Sequence, residues 1–273
     1  MIEILKTILI GIIQGITEWL PVSSTGHMIL LDELISLDVS ESFRQMFLVV
    51  IQLGSILAVA VLYFKTLNPF SKKKSGAEKK QVFSLWGKII VAIIPAGIAG
   101  VLLDDWLDRH FYTYSTVAAA LVLYGIFFIV IERRRKNKRP AHETVYDIDY
   151  KTAAAIGLFQ ILSLIPGTSR SGSTILGGML VGVSRTAAAE FSFFLAVPIM
   201  LGASLLKLIK LGFALTGAEI SILLTGCAVA FFVSVAAIRF LVSFVKRHSF
   251  EVFGWYRIVL GGIILTYYIF FAR

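Results

Sequence analysis

Two short stretches, 11–27 (GIIQGITEWLPVSSTGH) and 157–173 (GLFQILSLIPGTSRSGS), hold most of the side chains that could do chemistry. In the first, Gln14 and Glu18 stand four residues apart and share one helical face. A carboxylate beside an amide suits a hard divalent cation with oxygen ligands. His27 follows Ser23, Ser24 and Thr25, a setting in which an imidazole serves as general acid/base or nucleophile. In the second, Arg170 stands among Ser169, Ser171, Ser173 and Thr174. Its planar fork matches phosphate oxygens two at a time. A metal-capable carboxylate, an arginine, hydroxyls and an imidazole together suit phosphoryl transfer, where the protein supplies positioning and charge neutralisation. Acyl transfer fits less well, because no carboxylate is evidently placed to orient the histidine. The plainer alternative for Glu18 and Arg170 is an ion pair with each other, and in the empty protein both readings can hold.

These residues need elements that bring them together, and the composition places those elements in a membrane. Of 273 residues 57% are hydrophobic and 16% charged, with a mean hydropathy of +0.84. Several apolar stretches reach the roughly 20 residues that cross a ~30 Å hydrocarbon layer as a helix. No alternation of the outer-membrane-barrel kind is visible. The expected fold is an all-α polytopic membrane protein. The opening MIEILKTILIGII is read as the first helix, having no strongly basic leader and no A-x-A-like cleavage site. The net charge of +9 sits in connections between spans, which argues against nucleic acid as a partner. The single cysteine, Cys227, excludes an intramolecular disulfide and a Cys-based metal site.

Each chemistry-bearing stretch is an apolar run carrying a Gly and a Gln (Gly11 and Gln14; Gly157 and Gln160). Each breaks at a proline (Pro21, Pro166) and empties into Ser, Thr and Gly, so the copies superpose with one residue of slippage. Backbone groups freed by such breaks are tolerated at membrane depth only inside protein or along a wet cavity. Paired broken helices with polar tips mark a site between two structural repeats. Hydroxyls and free N–H groups at the helix starts form a donor set suited to phosphate.

Orientation follows from charge. Segments 65–88 and 132–151 are rich in Lys and Arg, whereas 104–113 (DDWLDRHFYT) is acidic. The positive-inside rule puts the first two in the cytoplasm and the third outside. Spans are then expected at about 46–64, 86–103 and 115–131, and at about 186–209, 217–238 and 252–271. The expected layout is a first repeat 1–131 opening on a re-entrant hairpin 1–35, and a second repeat 152–273 opening on a hairpin 152–182. The basic cytoplasmic linker 132–151 is the hinge between them, and three spans per half give the halves opposite topology. QLGSILA (52–58) also resembles MLGASLL (200–206). Glu190 is expected at the positive end of its helix, with a contact to the site as the alternative. Asp104, Asp105, Asp108 and His110 are expected in a solvated loop, and His142 and His248 likewise. Gly177, Gly178 and Gly182 are expected to allow close helix packing.

QGITEWLPVSSTGH, with its (E/Q)xxxE element, and PGTSRSGST resemble the two signature motifs of the undecaprenyl-pyrophosphate phosphatases of the bacitracin-resistance type. The resemblance extends through EFSFFLAVP (190–198) and WYR (255–257). It implies an integral membrane phosphatase that removes the terminal phosphate of undecaprenyl pyrophosphate, releasing the lipid carrier of cell-wall glycans. It also implies an inverted-repeat fold, dependence on Mg²⁺ or Ca²⁺, and a site opening to the outer face of the bacterial cytoplasmic membrane. By position, Glu18 and Gln14 would form the metal-binding element and Arg170 the phosphate clamp. Ser24 and His27 would be the catalytic hydroxyl and imidazole. Ser23, Thr25, Ser169, Ser171, Ser173 and Thr174 would support the phosphate, with a contribution from Arg257. The family allows Glu or Gln at position 14; here Gln leaves one fewer carboxylate for the metal. Three routes stay open: attack by Ser24 with His27 as base, attack by His27, or attack by a metal-bound water. The expected partners are the polyprenyl pyrophosphate and the bilayer, with a homodimer admissible. Two other classes compete. A transporter or flippase would use the same cavity, and an intramembrane peptidase would use Ser24 and His27, though it has little need of Arg170.

Overall fold

A computed structural model of the chain describes residues 2–136, 138–211 and 215–271. Helices α1 (Ile2–Thr17) and α2 (Ser24–Leu34) form a hairpin, followed by α3 (Glu41–Val50), α4 (Gln52–Leu62), the short α5 (Phe64–Leu67), α6 (Gly76–Phe111) and α7 (Tyr114–Arg135). A second hairpin comprises α8 (Tyr150–Ile161), a 3-10 turn (Leu162–Leu164) and α9 (Arg170–Leu180). It is followed by α10 (Arg185–Leu211), α11 (Gly217–Val245) and α12 (Glu251–Phe271).

Among the described residues, six helical segments are long and apolar enough to span a membrane: Glu41–Leu62 (α3 with α4), Gly76–Leu103, Tyr114–Arg135, Arg185–Ile209, Gly217–Val245 and Glu251–Phe270. Their outward faces carry exposed apolar side chains such as Ile98, Val101, Phe232 and Phe270, as lipid requires. The chain is an all-α, multi-pass membrane protein. Polar caps mark where helices begin: Ser75 with Glu78 and Thr216 with Glu219 form reciprocal capping boxes on α6 and α11.

Close backbone approach holds the bundle together. A Cβ on Gly11 of α1 would lie 2.9 Å from the Cβ of Val229 in α11. A Cβ on Gly157 of α8 would overlap the carbonyl of Ala92 in α6. The first helix of each hairpin thus packs on a span of the other half of the chain, through the glycine that the two motifs share. Around the hairpins lies the main core, with Trp19, Phe128, Phe191, Phe193 and Phe194 fully buried.

Several loop expectations are corrected. The acidic segment 104–113 is helical through Phe111, as the end of α6. The side chains of Asp104, Asp105 and Asp108 lie outside the described residues. Segment 132–151 is no free hinge. Residues Glu132–Arg135 complete α7 and Tyr150 starts α8, and the N–H groups of Ala141 and His142 donate to the Gly182 carbonyl at 2.8 and 3.3 Å. His142 is a structural tie rather than a solvated side chain: its Nδ1–H donates to the Asp147 carbonyl at 2.8 Å, and Nε2 lies 3.2 Å from the Thr152 hydroxyl. The backbone N–H and hydroxyl of Thr144 both donate to the Asp147 carboxylate, holding it below the usual carboxylate range. Gly182 is a turn residue at φ +100, a conformation that only glycine adopts easily. Gly177 and Gly178 do meet neighbouring helices, at Phe159 and Ala188.

Candidate active site

Both polar tips are built the same way. Ser23 and Ser169 sit at φ 72 and 71, the only non-glycine residues at positive φ among the described residues. Such backbone costs of order 1–3 kcal/mol and persists only where the surroundings impose it. Each serine caps the following helix: the Ser23 hydroxyl accepts from Gly26 N at 3.3 Å, and the Ser169 hydroxyl from Gly172 N at 3.2 Å. The two following helices, α2 and α9, are 11 residues each and start with their positive ends at the tips.

The tips meet inside the bundle. The Arg170 guanidinium donates through Nη2 to Glu18 Oε1 at 3.0 Å, joining the two motifs across 152 residues of chain. Gln14 Nε2 donates to the other oxygen of the same carboxylate, also at 3.0 Å. Nη1 of Arg170 donates to the Ser192 carbonyl at 2.6 Å, and the guanidinium carbon lies 5.7 Å from the Trp19 ring centroid. The ion pair expected as the plainer alternative is therefore present. Arg170 Nε, however, is buried without a partner, so one donor of the fork is uncommitted. Beside it, the Ser171 hydroxyl donates to the Leu20 carbonyl at 3.4 Å and lies 3.1 Å from the Ser169 hydroxyl.

His27 has a defined tautomer. Its Nδ1 lies 2.8 Å from the Ser23 carbonyl, which only accepts, so Nδ1 carries the proton. Nε2 then accepts from the Tyr256 hydroxyl at 2.6 Å, with the two rings stacked 5.6 Å apart. A backbone carbonyl thus orients the imidazole, as a carboxylate does in other sites. No hydrogen bond joins His27 to Ser24. Among the described residues none engages the hydroxyl of Ser24 or of Thr25, and both residues are partly exposed.

Other expected phosphate contacts point elsewhere. Ser173 and Thr174 are 1% exposed. The Ser173 hydroxyl donates to Tyr124 OH at 3.3 Å, and the Thr174 hydroxyl lies 2.7 Å from that of Ser192. They buttress the second tip from behind. Arg257 is fully buried, and its terminal nitrogens donate to the carbonyls of Pro21 (3.1 Å), Gly167 (2.8 Å) and Thr168 (2.8 Å). Through its terminal nitrogens it ties the first tip to the second, while its Nε, like that of Arg170, is buried without a partner. Glu190 does not reach the tips; it accepts from Tyr63 OH at 3.3 Å.

Four residues at the site were not singled out from sequence: Trp19, Tyr124, Ser192 and Tyr256. A signal existed for two of them. Ser192 is the one hydroxyl residue in the apolar run EFSFFLAVP, and Tyr256 adjoins Arg257 in WYR. A divalent cation would find two oxygen donors here, the Glu18 carboxylate and the Gln14 amide. No cluster of three His, Cys, Asp or Glu exists among the described residues. Two protein oxygens fit Mg²⁺ or Ca²⁺ only where phosphate and water complete the shell, which is how Mg²⁺ commonly binds beside phosphates.

A family model described as Bacitracin resistance protein BacA matches residues 7–263. The chain belongs to the BacA family. That match takes in both tips, Tyr256 and Arg257. Among similar proteins, an undecaprenyl-diphosphatase of Enterococcus faecalis is 59% identical over 97% of this chain and 96% of its own length. Another undecaprenyl-diphosphatase, of Desulfitobacterium hafniense, is 57% identical over 98% and 97%. A third, of Limosilactobacillus fermentum, is 54% identical with both chains fully covered. The BacA family thus agrees with the resemblance carried by the two motifs.

Proposed function

We propose that this chain is an integral membrane undecaprenyl-diphosphatase, hydrolysing undecaprenyl pyrophosphate to undecaprenyl phosphate and inorganic phosphate and so returning the lipid carrier to cell-wall synthesis. The observation that carries this reading is the meeting of Glu18, Gln14 and Arg170 from two distant tips, in a chain whose relatives bear that name over nearly their full length. Those relatives support hydrolysis rather than carriage of the lipid by a flippase.

The architecture proposed is an inverted repeat, 1–131 and 152–273, with the hairpins entering from opposite faces of the cytoplasmic membrane and the site opening outward. Its support is the shared Gly and Gln, the paired positive-φ serines, and the reciprocal packing of α1 on α11 and α8 on α6. The polyprenyl tail lies among the apolar spans while the pyrophosphate enters between the tips. Arg170 turns its fork to the phosphate, keeping Glu18 as counter-ion. The uncapped N–H groups at the starts of α2 and α9 add donors.

Glu18 and Gln14 would hold the divalent cation, which when bound neutralises phosphate charge. The Ser24 hydroxyl, uncommitted and at the helix start, attacks the terminal phosphorus as the bridging P–O bond breaks toward the lipid monophosphate. The hydroxyl proton passes to Nε2 of His27, which must first release Tyr256. Water then hydrolyses the phosphoserine and frees phosphate. Direct attack by His27 would need the same release of Nε2 from Tyr256, while Nδ1 stays held by the Ser23 carbonyl. The test is phosphate release from a long-chain polyprenyl pyrophosphate by the purified protein, with and without EDTA, alongside Glu18→Ala and Arg170→Ala. Release that depends on metal and vanishes in both variants is expected. No release by the intact protein, with lipid still bound, would assign a carrier instead.

A further inference from the structure

Basic side chains gather at the far end of α9 from its tip, around the turn that leads into α10. There a cavity of about 320 Å³ opens between the end of α7, the start of α10 and the end of α11. That volume falls in the ~300–1,000 Å³ range of small-molecule sites. Arg135, Lys136, Lys138 and Lys246 line it, together with an Arg185–Glu132 pair.

The charge balance of this cavity is lopsided. Glu132 is 1% exposed and spent: Arg185 grips it with Nη2 at 2.6 Å and Nε at 2.9 Å, and Phe250 N donates to it at 2.8 Å. Arg135 donates to the Val183 carbonyl at 3.4 Å, a neutral acceptor. Lys136, Lys138 and Lys246 form no ion pair with a described residue. Four positive charges thus line one cleft whose lining carboxylate, Glu132, is already taken by Arg185, and Glu190, outside the lining, attracts Lys246 without forming an ion pair with it. The α10 helix also begins here, with Arg185 and Thr186 on the cavity wall, adding its positive end.

Part of the wall is tied down by backbone hydrogen bonds, including Lys138 N to the Arg135 carbonyl at 3.0 Å. Residues Ala141 and His142 are pinned by their backbone bonds to Gly182 and by Ser184 N donating to the His142 carbonyl at 2.9 Å. The floor is apolar, with Met179, Val183 and Val245. A one-signed cleft with low-dielectric walls concentrates the opposite ion. Basic pockets between membrane helices on this side suit phosphate head groups.

We propose that this cavity binds a phosphate-bearing anion, supplied either by the head group of an anionic phospholipid or by free phosphate, independently of the catalytic tips. The full chain, purified in neutral detergent, is examined by native mass spectrometry with phosphatidylglycerol and with phosphatidylcholine, and again with inorganic phosphate as competitor. The comparison is the triple variant Lys136→Gln/Lys138→Gln/Lys246→Gln against a control with equal charge loss, Lys72→Gln/Lys73→Gln/Lys80→Gln. At about fivefold per lysine, the cavity triple is expected to weaken phosphatidylglycerol binding roughly a hundredfold, the control little. Phosphate release from the polyprenyl pyrophosphate stays unchanged in both. Competition by inorganic phosphate supports a shared head-group site, and phosphate binding without lipid binding supports the free anion as the source. Equal losses in the two triples, no loss in either, or equal retention of phosphatidylcholine would each overturn the proposal.

Discussion

Arg257 is where the geometry makes its sharpest claim. Its fork spans two hairpins through three hydrogen bonds to carbonyls, all from a fully buried cation. Hydrogen bonds from charged donors contribute about 1.5–3 kcal/mol each, so the gross stabilisation from three is about 4.5–9 kcal/mol. Burying the guanidinium offsets part of this. Arg257→Ala removes the cation and leaves these buried carbonyls short of a donor, at about 1–3 kcal/mol each, so a net loss of about 3–5 kcal/mol is expected. Because the clamp positions both tips, catalysis should fall with stability: a misplacement of about 1 Å costs roughly a hundredfold in rate. Arg257→Lys keeps the charge but cannot reproduce the fork, so at least half of the stability loss should remain. Gly172→Ala gives an independent handle, since its Cβ would sit 3.0 Å from Arg257 Nη1. It should cost about 1–3 kcal/mol through the same contact. Thermal unfolding in detergent and steady-state kinetics on each variant decide the matter. If Arg257→Ala unfolded at the wild-type temperature and lost only substrate affinity, Arg257 would be a phosphate contact and the clamp reasoning would be wrong.

Three further outcomes are expected. Glu18→Gln keeps the shape but removes the charge facing Arg170 and the cation; phosphate release should drop about 10²–10³-fold, with half-saturation moving to higher Mg²⁺, and an unchanged Mg²⁺ titration would remove Glu18 from cation binding. Tyr256→Phe should leave turnover within about tenfold of wild type while His27→Gln loses about 10²–10⁴-fold; equal losses would make the Tyr256 hydroxyl itself part of the chemistry. Gly54→Ala would drive a Cβ into the Cys227 carbonyl of α11, whereas Gly202→Ala meets nothing within 4 Å. The first should destabilise by about 1–3 kcal/mol and the second by little, read as the difference in unfolding temperature.

The sequence by itself determined the class and the chemistry. Lipid cannot hydrogen-bond a backbone, so long apolar helices and two proline-broken hairpins are legible without coordinates. The residue types in those hairpins, an amide and carboxylate four apart, an imidazole after hydroxyls, and an arginine among serines, were equally plain. Only the tertiary structure decided which of them are free and which are already spent. Arg257 is a phosphate contact only by family resemblance, and its terminal nitrogens are taken by carbonyls 90 and 236 residues away. His27 and Ser24 look like a pair at helical spacing, but a stacked Tyr256 from α12 claims the imidazole. The linker 132–151 reads as a charged hinge, yet bonds to Gly182 pin it and leave its cations around a cavity. In each case the deciding partner comes from a distant part of the chain, and such contacts are set by how whole helices pack rather than by local spacing.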